Sequence, residues 1–213
     1  PPPFPPITLA ATVAIGLSPA ATENKTATEI AAAIIASTNA STDSVVVVKK
    51  ISTLGITIPT SVSVASHLAA IGISVCAGKP VGCEVTIASS RRRQLEQQAN
   101  RRELNSIEVT FQIAIPATAY EDLSVTTDAI ATLQNAMSLA VESATNTAVV
   151  VSTGLATTTT VDITVVIPGS TDAANAATSS TLSASAVTTT LATYLNVDAS
   201  TLAVAEAIIV FPP

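Results

Sequence analysis

Ser90–Leu104 reads SRRRQLEQQANRREL, and its reading decides how the rest of the chain is divided. All five arginines of the 213-residue protein fall inside it. On both sides lie long stretches of Ala, Val, Ile, Ser and Thr with almost no charge. Each side carries strand and helix patterns in the same order, so the stretch is expected to connect two copies of one module. Arg91, Arg92, Arg93, Arg101 and Arg102 admit three readings: a solvated connector, a dibasic processing site, or a polyanion-binding patch. Glu96 and Glu103 mix the sign of the charge and weigh against the third.

Before the connector, Ile7 to Leu17 alternates as a strand and Pro19 closes it. Thr22 to Thr38 repeats Ile30, Ile34 and Ile35 at helical spacing. Val45 to Val48 is a β-branched run with Lys49-Lys50 leading out, and Ile56-Thr57-Ile58 resumes the pattern up to Pro59. Ser61 to Ile73 has Val64, Leu68 and Ile71 on one helical face, with Ser61 as a cap. Glu84 to Ala88 is a strand. After the connector, Ile107 to Ile115 alternates most clearly. Thr126 to Ser143 places Ile130, Leu133, Met137 and Val141 on one stripe. Strands are expected at Ala148 to Val151, Val161 to Ile167 and Leu202 to Phe211, with a helix over Asp172 to Leu195. Each half thus reads β-α-β-β-α-β, the ferredoxin-like order.

The expected fold is α+β: two tandem ferredoxin-like modules, each an antiparallel sheet with helices on one face. The expected divisions are a Pro-rich spacer at 1–6, modules at 7–89 and 106–213, and the Arg-rich connector at 90–105. The strands look apolar nearly throughout, which predicts that both sheet faces are covered.

Charged residues are only 11% of the chain, aromatics 2%, and Trp is absent. The core must be built from small aliphatics, and something other than charge must keep the surface soluble. The net charge of −6 and the shortage of aromatics argue against a nucleic-acid binder. No run of 18 apolar residues occurs, so no transmembrane helix is expected. PPPFPP is not a leader sequence, which fits a mature secreted fragment.

Cys76 and Cys83 are the only cysteines. Gly78, Pro80 and Gly82 between them suit a tight loop closed by a disulfide. Two thiols alone are too few for a metal site, and the spacing is not that of a C-x-x-C redox pair. A structural disulfide places the chain in an oxidising, extracellular compartment. His67 is the sole histidine and has no partner motif. Glu121-Asp122 reads as acidic residues ahead of a helix. No catalytic, metal or cofactor set emerges. Asn24-Lys25-Thr26 and Asn39-Ala40-Ser41 are N-glycosylation sequons. Pro1, Pro2, Pro3, Pro5 and Pro6 are candidates for hydroxylation and O-glycosylation.

CAGKPVGCEVTI, followed by SSRRRQL and IEVTFQIAIP, resembles repeat modules of secreted and cell-surface proteins of microalgae and other microbial eukaryotes. The likeness covers roughly 44–116 and implies a wall or surface role rather than an enzyme. The ends, with Phe4-Pro5-Pro6 and Phe211-Pro212-Pro213, are similar to those of glycosylated extracellular fibril subunits. The expected function is therefore a structural subunit of an extracellular filament or coat, partnered by itself head to tail and by covalent glycans. The assembly segment would be the N-terminus, through Phe4, Ile7, Leu9, Val13 and Ile15, added as a strand to a neighbour. The alternative is a monomeric adhesion module on a Pro-rich stalk. A peptidase-linked prodomain cut at the arginine pairs is the third reading.

Overall fold

A computed structural model describes residues 8–38, 44–59, 61–93, 106–168, 183–205 and 208–210. In chain order the strands are β1 (Thr8–Leu17), β2 (Val45–Pro59), β3 (Glu84–Arg93), β4 (Ser106–Pro116), β5 (Val150–Pro168), β6 (Leu202–Val204) and β7 (Ile208–Val210). The α-helices are α1 (Pro19–Thr22), α2 (Ala27–Thr38), α3 (Leu68–Val75), α4 (Thr127–Thr145) and α5 (Ala184–Leu195). The fold is α+β, and every strand pair with a defined register is antiparallel.

Two compact units form, and neither is continuous in sequence. One comprises 1–49, 117–124 and 158–213; the other comprises 50–116 and 125–157. These divisions differ from the expected 7–89 and 106–213. The reason lies in β2 and β5. The runs at Val45–Val48 and Ile56–Ile58 are not two strands but one, and so are those at Val150–Val151 and Val161–Ile167. No proline separates either pair, the single glycines Gly55 and Gly154 are accommodated within the strands, and β-branched Thr157–Thr160 carries β5 onward. Each long strand begins in one unit and ends in the other. The chain of the second unit is thereby inserted between β2 and β5 of the first.

Within the inserted unit the elements follow as the end of β2, α3, β3, β4, α4 and the start of β5. Its strands pair in the order β3-β4-β2-β5. The alternation of β4 turns Val109, Phe111 and Ile113 to the buried face, where Leu54, Ile56, Ile71, Met137 and Val141 meet them. Glu108, Thr110 and Gln112 occupy the alternate, half-buried positions. This corrects the expectation of strands apolar throughout. Gly55 is buried on β2; a Cβ there would collide with Thr153 Oγ1 and reach within 2.9 Å of Ser152 Oγ. Its N–H donates to that Thr153 hydroxyl at 2.9 Å.

The other unit has β1, α2, the start of β2, the end of β5, α5 and then β6 with β7. Here β1 is central. It pairs with β5 from Thr8↔Pro168 to Leu17↔Thr159, and with β6 and β7 along its other edge. Val13 and Ile15 are fully buried against Ile30, Ile34, Val187 and Leu191. Helix α5 tolerates three successive threonines because Thr188, Thr189 and Thr190 each donate a hydroxyl bond to the carbonyl four residues earlier. It ends on Asn196 in the left-handed region, φ 53°, as does α4 on Asn146 at φ 51°.

Phe111→Ala should cost about 3–5 kcal/mol, since it empties the largest fully buried side chain of its core. Urea denaturation followed by circular dichroism measures it; a loss under about 1 kcal/mol, the level of an ordinary surface substitution, would contradict this packing.

Candidate functional site

The features with chemical consequence sit on two loops. The first follows α3. Cys76 caps the helix, its N–H donating to the Gly72 carbonyl at 2.9 Å, and its sulfur is bonded to that of Cys83. The chain turns because Gly78 and Gly82 take φ of 70° and 93°, which side chains with a Cβ rarely adopt. The N–H of Lys79 donates to the Cys76 carbonyl at 3.0 Å and that of Cys83 to the Pro80 carbonyl at 3.2 Å. The loop so tied presents Val81 fully exposed. Beside it runs a shallow groove of about 520 Å³ between α3 and the first residues of β3.

The second loop carries Asn24. Its backbone is left-handed, φ 56°, its side chain is exposed, and its N–H donates to Ser124 Oγ at 3.0 Å. Two residues on, Thr26 starts α2 with a reciprocal cap. The Thr26 N–H donates to a Glu29 carboxylate oxygen at 2.7 Å, and the Glu29 N–H donates to Thr26 Oγ1 at 3.3 Å. The bond from the Thr26 N–H, then that from its hydroxyl, hold the Glu29 carboxyl below its ordinary 4.5, with nearby Lys25 adding to the effect. The next free helix donors, Ala27 and Thr28 N–H, bond to the carbonyls of Glu121 and Ala119. Residues 117–124 are thus the strap that closes the N-terminus of α2. Glu121 does not prepare α4 as its position suggested; its carboxylate accepts from the Thr118 N–H at 3.1 Å.

The other expected sites fall as follows. Asn39, Pro1, Pro2, Pro3, Phe4, Pro5, Pro6, Ile7, Arg101 and Arg102 lie outside the described residues. Arg91, Arg92 and Arg93 extend β3, in register with Glu108, Ile107 and Ser106 of β4. Both strands belong to the inserted unit, so the arginine stretch joins neighbouring strands of one unit. This corrects its reading as a link between two modules. Leu9, Val13 and Ile15 all lie in β1, which finds strand partners on both edges within its own chain. That corrects the idea that Ile7 to Leu17 as a whole extends to a neighbour. The strap at 117–124 was missed in the sequence, since nothing local in ATAYEDLS marks a partner about ninety residues away.

Among the described residues no three of His, Cys, Asp or Glu gather to hold a metal ion, and no helix is long and apolar enough to cross a membrane. Compared with known proteins, the chain matches no family model, no curated protein and no solved structure.

Two measurements test these loops. Replacing both Cys76 and Cys83 by Ser should lower stability by roughly 2–3 kcal/mol, the loop-closure value for so short a ring, read as a shift in the urea midpoint. Melting at pH 5 and pH 3 tests the cap. Because the folded Glu29 carboxyl titrates below its ordinary 4.5, its stabilisation is present above that value and lost as pH falls through the folded one. Glu29→Gln, which keeps an acceptor but not the charge, should show a smaller fall in Tm between those two pH values than the unaltered chain.

Proposed function

We propose that the chain is a structural subunit of an extracellular filament or surface coat that assembles head to tail through its N-terminal segment. The observation that supports this best is the exposure of large apolar side chains on a surface poor in charge. Ile73 is 77% exposed, Val81 100%, Leu139 64% and Val150 67%. Apolar surface of this kind favours contact with further copies over isolation in water. The disulfide between Cys76 and Cys83 agrees with an oxidising compartment. The resemblance to secreted microalgal repeat modules points the same way.

Each unit is, in this reading, a ferredoxin-like module, nested one inside the other instead of in tandem. Both carry the β-α-β-β-α-β order, with the first strand central and the second at an edge of the unit. Asn24 carries an N-linked glycan on an exposed turn. The segment available for reaching a neighbour is 1–7, because β1 from Thr8 onward is already paired with strands of its own chain.

A second reading, a monomeric adhesion module, is favoured by Tyr120 and Tyr194. They are the only tyrosines of the chain and are 87% and 57% exposed, so their rings are free to stack on sugars.

Negative-stain imaging and sedimentation of the purified chain separate the two. Filaments are expected from the full chain and none from a chain lacking residues 1–7, with the melting curve unchanged. A monodisperse monomer at every concentration would sink the filament reading. Removing 1–17 is not an equivalent test, since Val13, Ile15 and Leu17 are core. For the glycan, Asn24→Gln should remove one sugar-dependent mass increment without altering the melt. Thr26→Ala should remove the same increment and about 1 kcal/mol of stability with the lost cap.

A further inference from the structure

We infer that the groove between α3 and β3 is the acceptor for residues 1–7 of a second copy, taken as an extended polyproline segment with Phe4 as its anchor. The inference rests on the head-to-tail reading and assigns it a docking surface. The groove is lined by Leu68, Ala69, Gly72, Ile73, Val85 and the Cys76–Cys83 disulfide, with Glu84 as its one charged member. Its walls are apolar apart from Glu84, and Ile73 within it and Val81 on the neighbouring loop are exposed. Gly72 leaves its floor open: a Cβ there would meet only Val85 Cβ, at 4.0 Å. A glycine inside an eight-residue helix weakens that helix, so an alanine would be the stabler choice. The space it leaves is what an occupant gains.

The occupant follows from what the neighbourhood accepts. Strand β3 is at the edge of its unit, but its register shifts between Ile87 and Ser89, which interrupts a long added strand. A segment that needs no ladder fits better. Residues 1–7, PPPFPPI, contain five prolines and no charged side chain. Proline offers no N–H, so this segment adds poorly to a sheet edge and well to an apolar groove, as polyproline segments do. At about 3.1 Å per residue it reaches roughly 20 Å, more than the roughly 12 Å length of α3. It immediately precedes β1 in the sequence. Its docking on another copy is a heterologous contact, which propagates unless it closes into a ring.

Three versions of the full chain test this. Gly72→Leu fills the groove, and Phe4→Ala removes the anchor. Each alone should be at least tenfold poorer at forming filaments than the unaltered chain, by sedimentation, with unchanged circular dichroism. Mixed together they should form one-to-one dimers and stop, because one keeps the donor and the other the acceptor. Gly72→Ala serves as a milder acceptor change, expected to melt no lower than the unaltered chain while also shortening filaments. A synthetic PPPFPPI peptide carrying a photoreactive benzoylphenylalanine at its fourth position supplies an independent readout. Added to the full chain, it should cross-link within residues 68–85. Filaments of normal length from Gly72→Leu would overturn the groove while leaving self-assembly intact. A monomeric full chain would overturn self-assembly, and the peptide then reports the groove alone. Cross-linking elsewhere, or occupation of the groove by the same chain's own N-terminus, would also overturn the assignment.

Discussion

The structure depends on two strands that do not stop. β2 and β5 each run through a place where a break was expected, β2 after Lys49–Lys50 and β5 between Val151 and Val161, and each passes from one unit to the other. At the latter position every residue from Thr157 to Thr160 is β-branched and comfortable in extended backbone. Because both strands continue, each serves two hydrophobic cores. Val48 and Val161 belong to one core, and Leu54, Ile56 and Leu155 to the other. Everything else in the arrangement follows: the discontinuous units, the strap at 117–124, and the placement of β1 at the centre of its unit.

Much of this was legible in the sequence, and the part that was not has a definite cause. The alternation of Val109, Phe111, Ile113 and Ile115 located β4 within a residue, and the Met137–Val141 stripe located α4. The two tandem β-α-β-β-α-β sets expected at 7–89 and 106–213 are not what the chain forms, because each counted one long strand as two. What periodicity cannot reveal is how elements are spliced. Lys49-Lys50 looked like an exit because charge commonly marks an end, and Pro59 was the true stop. A lone Gly55 within the run signalled close approach of a neighbour and not a turn. The arginine stretch misled for a related reason. It is the most polar part of the chain, and polarity was equated with a boundary between modules. It joins two strands paired in register from Glu84↔Ala114 to Arg93↔Ser106. Of the candidate sites, the disulfide was evident from its glycines, whereas the groove beside it was not. Its walls come from α3 and β3, and the vacancy at Gly72 is a property of three dimensions.

A chain so poor in large side chains must make its cores by other means. Among the described residues, one core contains no buried aromatic residue and the other includes Phe111. Small aliphatics pack closely but contribute less apolar area each. Helix ends therefore matter more than usual. The Thr26–Glu29 cap, the Thr126 hydroxyl on the Ala129 N–H, and the Asp198 carboxylate on the Ser200 N–H, which starts the short 3-10 helix Ala199–Thr201, each satisfy a donor that would otherwise face water alone. Bonds from the Ser200 N–H and side chain lower the Asp198 carboxyl as those of Thr26 lower Glu29. Acid therefore weakens two helix starts in the unit built on β1.

The nesting also sets an order in time. β1 leaves the ribosome well before its β5 partners, which lie about 150 residues later, Leu17 pairing with Thr159. The inserted unit is complete when Thr157 emerges, before the remaining half of the outer unit exists. During that interval an apolar strand with Val13, Ile15 and Leu17 on one face waits without a neighbour. Long-range pairing of this kind is slow to form and leaves strand edges open while it waits. For nascent chains made close together, the same edge is presented to every neighbour that already displays a finished β5.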